Sequence, residues 1–123
     1  EAGDEEMLMG RWRGERYSYA RRTTTKVELE IASISPLEGV MYKLVPRDGE
    51  LVRLQLRGEE IAIKGEVKDG KVLLEFTGPD GAEWNFELSL KGKTLEGDGR
   101  GRFVGGSIYA YNNLHLEKVK SHD

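Results

Sequence analysis

Arg16, Ser18 and Asn112 are the polar residues that strand alternation points toward an apolar interior. Every second side chain of a strand faces the same way. The parity that turns Trp12 inward carries Gly14, Arg16 and Ser18 with it, and the even face of the last strand carries Ile108, Ala110, Asn112, Leu114 and Leu116. A guanidinium removed from water requires an acceptor, because an unpaired buried charge costs several kcal/mol. A ligand carboxylate is one source of that acceptor. A wet position near a barrel mouth, or a bulge that shifts the register, removes the need for one.

The remaining chemistry-bearing types point away from catalysis. His115 and His122 are the two imidazoles, and neither has a histidine at a metal-site spacing, so no metal or cofactor is expected. Glu96, Asp98, Arg100 and Arg102 alternate as an outward charge ladder, and not as a carboxylate pair for acid–base work. Gly97-Asp98-Gly99-Arg100-Gly101 departs from the dinucleotide fingerprint in its glycine spacing and is followed by no helix. No nucleophile elbow supports a Ser/His/Asp triad. The expectation is a protein that is not an enzyme.

Two further groups carry paired readings. Gly97, Gly99 and Gly101 fall inward in alternation, where glycine weakens a strand and packs nothing. They permit the coiling that closes a small barrel, or let a bulky neighbour such as Trp84 or Phe76 lie flat across them. Alternatively they form a cavity wall with Gly14, Gly65 and Ala110. Tyr17 and Tyr19 face out on the first strand, Tyr109 and Tyr111 on the last, so closure sets all four side by side. That cluster reads either as an interaction patch or as ordinary cross-strand pairing. A reversed register in the last strand would turn Tyr109 and Tyr111 into the cavity.

The elements that position these residues are strands throughout. Thr25, Val27, Leu29 and Ile31 alternate with Lys26, Glu28 and Glu30, a half-buried antiparallel pattern. Val40, Tyr42 and Leu44 are expected inward on the next strand, then Val52, Leu54 and Leu56, then Ile61, Ile63, Gly65 and Val67. Val72, Leu74 and Phe76 follow, then Trp84, Phe86, Leu88 and Leu90, then Leu95 to Phe103. Asp48-Gly49, Asp69-Gly70 and Gly78-Pro79-Asp80-Gly81 are turn signals, and Gly58 marks another. Short links make consecutive strands antiparallel neighbours. The predicted fold is all-β, an up-and-down antiparallel barrel of about eight to nine strands, closed by pairing the strand of Trp12 with the strand of Leu114. Residues 7–120 form one domain, after an acidic arm at 1–6 stapled by Met7, Leu8 and Met9 and before a tail at 121–123.

Composition bounds the partners. The 123 residues suffice for one core. With 19 basic against 22 acidic side chains, the chain lacks the positive excess of a nucleic-acid binder. No cysteine is present, which excludes disulfides and thiolate zinc sites and leaves the compartment open. No apolar run reaches the length of a membrane-spanning helix, and Glu1 to Glu6 are acidic where a signal peptide would be basic.

Gly10-Arg11-Trp12-Arg13-Gly14 at the opening strand, a meander of short hairpins, and the closing Leu114-His115-Leu116-Glu117-Lys118 resemble the calycin group of lipocalin-like and avidin-like barrels. That resemblance implies a container for small, mostly apolar molecules, or a barrel that docks proteins or glycans by its loops. The biotin-pocket residues of avidin-like members have no counterpart here. Extended to Glu15, the same stretch is similar to the opening of nitrobindin-like haem barrels, with His115 as the residue for comparison, although its register points outward. The expected function is a non-catalytic barrel holding a small apolar or amphipathic molecule, with Arg16, Ser18, Asn112, Trp12, Tyr42 and Gly99 at the ligand. The alternative is a protein- or glycan-interaction domain, or a weak homodimer, acting through Tyr17, Tyr19, Tyr109 and Tyr111 and the loops.

Overall fold

Tight turns set the pairing of this chain. At Asp48-Gly49 φ is 52° and 81°, and at Asp69-Gly70 it is 51° and 77°. Two consecutive positive φ angles give the turn whose twist matches that of the strands it joins. The computed structural model describes residues 6–56, 59–103, 105–106 and 109–120, and the backbone but not the side chain of Tyr109. The arm before residue 6, Gly58, Ile108 and the tail at 121–123 lie outside the described residues.

The strands are β1 (Gly10–Ser18), β2 (Thr23–Ile34), β3 (Leu37–Arg47), β4 (Glu50–Arg53), β5 (Ile61–Lys68), β6 (Lys71–Thr77), β7 (Glu83–Lys91), β8 (Thr94–Arg102) and β9 (Tyr109–Lys118). Every pairing is antiparallel. The sheet runs β2-β1-β9-β8-β7-β6-β5-β3, and β2 also pairs with β3, which closes a barrel of eight strands. The predicted seam between the strands of Trp12 and Leu114 is the β1–β9 pairing, with Gly14 opposite Leu116 and Ser18 opposite Asn112.

The strand β4 is where expectation and structure part. β4 pairs with β3 alone and is not a stave of the barrel. Val52, Leu54 and Leu56 therefore do not enter the core, and Leu56 is 57% exposed. The parity of β3 is also opposite to that expected. Met41 pairs with Leu29 and is buried in the core, whereas Tyr42 pairs with Glu28 on the outer face. Both corrections have one cause. The run Val40 to Val45 has apolar residues at both parities, because the hairpin of β3 and β4 curls back over the outside of β2 and buries the outer face as well. Arg13 on β1 reaches the Leu51 carbonyl of β4 at 3.4 Å, and Leu44 is buried outside the main core.

The base of the barrel is plugged. A helical turn at residues 6–8 seats Leu8 in the core, and its carbonyl accepts the Trp12 indole N–H at 2.9 Å. The Lys118 ammonium lies 5.1 Å from the centre of the Trp12 ring and donates to the carbonyls of Met7, at 2.6 Å, and Met9. Burial lowers the pKa of Lys118. Above the plug, Leu29, Ile31, Leu37, Leu88, Leu95, Leu114 and Leu116 fill the lower half of the interior.

Candidate functional site

At the end opposite the plug the filling stops at a layer of aromatic rings. Phe76, Trp84 and Phe86 come from β6 and β7, whose alternation turns them inward together. Phe86 stacks on Phe76 and on Trp84, each at 5.8 Å between ring centres. Over them lies a cavity of about 350 Å³, bordered by Val27, Met41, Ile61, Ala82 and Ala110 and by the polar side chains of Arg16, Ser18 and Asn112.

Arg16 is the charged group that lies against the aromatic layer. Its guanidinium carbon stands 4.4 Å from the centre of the Trp84 ring, 5.4 Å from Phe76 and 5.6 Å from Phe86. A cation over ring faces is attracted by their quadrupoles. Its Nε donates to Asn112 Oδ1 at 2.6 Å, and Asn112 is itself fixed by donating to the Tyr111 carbonyl at 2.7 Å. Arg16 forms no ion pair among the described residues. Burial lowers its pKa to about 10, partly opposed by the charge of Asp80. Asp80 sits on the turn between β6 and β7, where its carboxylate accepts the Ala82 amide at 3.1 Å.

The residues expected at a ligand divide accordingly. Arg16, Ser18 and Asn112 come together at the cavity. Trp12 does not, since it is wholly buried in the plug at the other end. Tyr42 reaches the edge of the cavity, but its ring lies on the outer face under Arg53, 4.0 Å from the guanidinium carbon. Gly99 is closed off, because a Cβ there would lie 2.4 Å from Phe86 Cγ. The ring covering explains Gly101 too, where a Cβ would meet Trp84 at 2.4 Å. Gly14, Gly39, Gly65 and Gly97 mark close approach of strands, with a Cβ 1.8 to 2.2 Å from a neighbouring carbonyl oxygen. These glycines let the sheet coil and the rings pack; of the expected cavity wall, Gly101 and Ala110 border the mouth cavity. Phe103, expected inward, is 53% exposed beside the mouth.

On the outer face the tyrosines are partly gathered. Tyr17 and Tyr19 meet edge to face at 5.3 Å, and the Tyr19 amide donates to the Tyr111 carbonyl across the seam. Tyr17 is opposite Asn113, and the side chain of Tyr109 is outside the described residues. The Tyr19 hydroxyl donates to Asp98 at 2.9 Å, which raises its pKa. Near them, Glu66, Leu73, Asn85, Asp98, Arg100 and Tyr111 border a concavity of about 560 Å³. His115 is also outside, beside Glu96 at 3.3 Å and Glu117 at 3.7 Å, away from any interior haem position. No cluster of three or more histidine or acidic residues poised for a metal occurs among the described residues.

Sequence reasoning missed the ion cluster under the β3–β4 hairpin. Glu28 points outward as expected, yet none of its side chain is exposed. Arg11 and Arg13 bind it from β1 at 3.2 and 2.6 Å, and Arg53 Nε binds it from β4 at 2.6 Å. Burial pushes its carboxyl up, but the bonds from Arg13, Arg11 and Arg53 outweigh that and hold it below the usual carboxylate range. Arg53 also bonds Glu30 at 2.9 Å. The available signal was Arg11 and Arg13 lying directly across from Glu30 and Glu28.

No protein-family profile and no curated protein matches the sequence. Among solved structures, a redesigned β-barrel matches with a TM-score of 0.61 at 16% identity, over 95% of this chain and 96% of that one. The likeness establishes a small antiparallel barrel of the same architecture.

Proposed function

We propose that the protein is a non-catalytic binding barrel that takes a small apolar or amphipathic molecule into its mouth. The supporting observation is the cavity of about 350 Å³ over the aromatic layer, with Arg16, Ser18 and Asn112 on its wall. A few placed polar groups among apolar side chains are the usual composition of a ligand site. The opening-strand resemblance to calycin barrels agrees with a container, although here the plug and lower core confine the container to its upper end. Native mass spectrometry of the purified protein tests the reading. A bound small molecule is expected, lost in Ala110→Phe, which fills the cavity. A protein that carries no added mass and binds no probe in the mouth would sink it.

A second reading rests on the concavity of about 560 Å³ outside the barrel, beside the half-exposed Tyr19 and Tyr111. It makes this face a protein-contact surface. Concentration-dependent sedimentation, abolished in Tyr19→Ser/Tyr111→Ser, is its expected sign for self-association. A wild type that stays monomeric at all concentrations removes the homodimer.

A further inference from the structure

The mouth is unevenly charged. Among the described residues, Arg16, Arg21 and Lys43 border it as cations, Glu59 and Asp80 as anions. Arg16 stands apart because it is packed on rings and held through Nε by a neutral amide. The amide leaves the outer edge of the guanidinium, two Nη groups with four N–H donors, without a protein acceptor among the described residues. Neither Nη is sealed from solvent, since no buried side-chain nitrogen among the described residues lacks a partner. Asp80, the acid whose charge acts on Arg16, is engaged by the Ala82 amide and forms no ion pair with it. The site thus holds an oriented two-pronged donor, packed on aromatic rings, that opens onto a cavity.

We propose that the mouth is a receptor for a monocarboxylate with a compact, ring-sized apolar body, whose two oxygens accept from the free Nη edge of Arg16. This rests on the reading of the mouth as a binding cavity and specifies its ligand class. A guanidinium edge matches a carboxylate in geometry, giving two parallel charge-assisted hydrogen bonds. The charge count favours one negative charge over two, because Glu59 and Asp80 repel a dianion such as a phosphate monoester. The size follows from the filling. A cavity of about 350 Å³ is near the lower end of ligand pockets, which span roughly 300 to 1,000 Å³. The aromatic layer and the leucines beneath it leave no depth for a long acyl chain. The body of the ligand would lie among Val27, Met41, Ile61, Ala82 and Ala110.

Calorimetric titration with 2-naphthoate, its neutral isostere 2-naphthamide and 2-naphthyl phosphate tests the proposal on the wild type and Arg16→Met. Wild type is expected to bind the naphthoate roughly ten- to a hundredfold more tightly than the amide, the margin of hydrogen bonds to a charged group. In Arg16→Met that margin should vanish. Should the methionine variant not fold, Arg16→Gln, which keeps a donor for Asn112, is expected to lose the same margin. Equal wild-type affinities for acid and amide, or a margin that survives both substitutions, would overturn the carboxylate receptor and leave the container reading standing. Tighter binding of the phosphate would overturn the preference for a single charge. Failure of all three probes at millimolar concentration would overturn both the inference and the container.

Discussion

Arg16 remains charged at neutral pH even though burial lowers its pKa to about 10. A base whose folded pKa is depressed disfavours folding while it is protonated, and that penalty is relieved only as pH rises through the depressed value. Its effect on stability is therefore flat across the neutral range, from roughly pH 6 to 9. Stacking on three rings offsets part of the penalty. Arg16→Met, apolar against the same rings, is expected to change stability by less than about 1 kcal/mol, because well-packed apolar replacement of a buried charge is often neutral or stabilising. Thermal unfolding checks this, and a loss of more than about 2 kcal/mol would make Arg16 a structural residue. Glu28 is the opposite case. Its pKa is held down, so it contributes stability above the ordinary glutamate value, about 4.3, and loses it as pH falls through the depressed one. Glu28→Gln is expected to cost about 2 kcal/mol at pH 7, less than a fully buried pair because the arginines are part-exposed. The difference from wild type should shrink under acid as the native carboxyl protonates. A penalty unchanged at low pH would show that shape, and not charge, holds the hairpin.

At the scale of elements, β8 is a strand built to be approached. Its inward glycines do two kinds of work, and substitution separates them. At Gly101 the obstacle is the Trp84 ring, a side chain that can shift, whereas at Gly97 it is the Glu87 carbonyl oxygen, 2.0 Å from where a Cβ would stand. Gly101→Ala is expected to cost about 1 to 3 kcal/mol, the ordinary range for overpacking. Gly97→Ala should cost more, since the barrel backbone itself must move. Urea denaturation ranks the two, and equal costs would show that strand and ring yield alike. The β3–β4 hairpin is held differently. It leans on the barrel through Arg13, Arg53 and Glu28, so its amides should exchange with solvent before those of β7 and β8, whose strands pair on both sides.

Across the whole molecule, the plug and the mouth divide the labour of one interior. Trp12, Leu8 and Lys118 close one end, and closure there lets the other end stay open. Trp12→Ala is expected to destabilise the barrel by about 3 to 5 kcal/mol, as large aromatic truncations in cores do. Denaturant midpoints would read the loss. An effect below about 1 kcal/mol would mean that the helical turn at residues 6–8 does not depend on the indole.

The sequence by itself determined the barrel, because its hairpin turns and period-two alternation from Val27 to Leu116 allow antiparallel neighbours and little else. It also pointed Trp12, Arg16, Ser18 and Asn112 inward, since an inward Trp12 sets the parity of β1 and the apolar even positions set that of β9, and the structure chose this register over its reversal. Parity does not report depth along the axis. Only the tertiary structure separated Trp12 in the plug from Arg16 at the mouth, because shear between strands sets which residues share a level. It alone decided that Phe86 and Trp84 cover Gly99 and Gly101. It alone turned Tyr42 outward and lifted β4 from the barrel, because a run that is apolar at both parities is resolved only by what covers its second face.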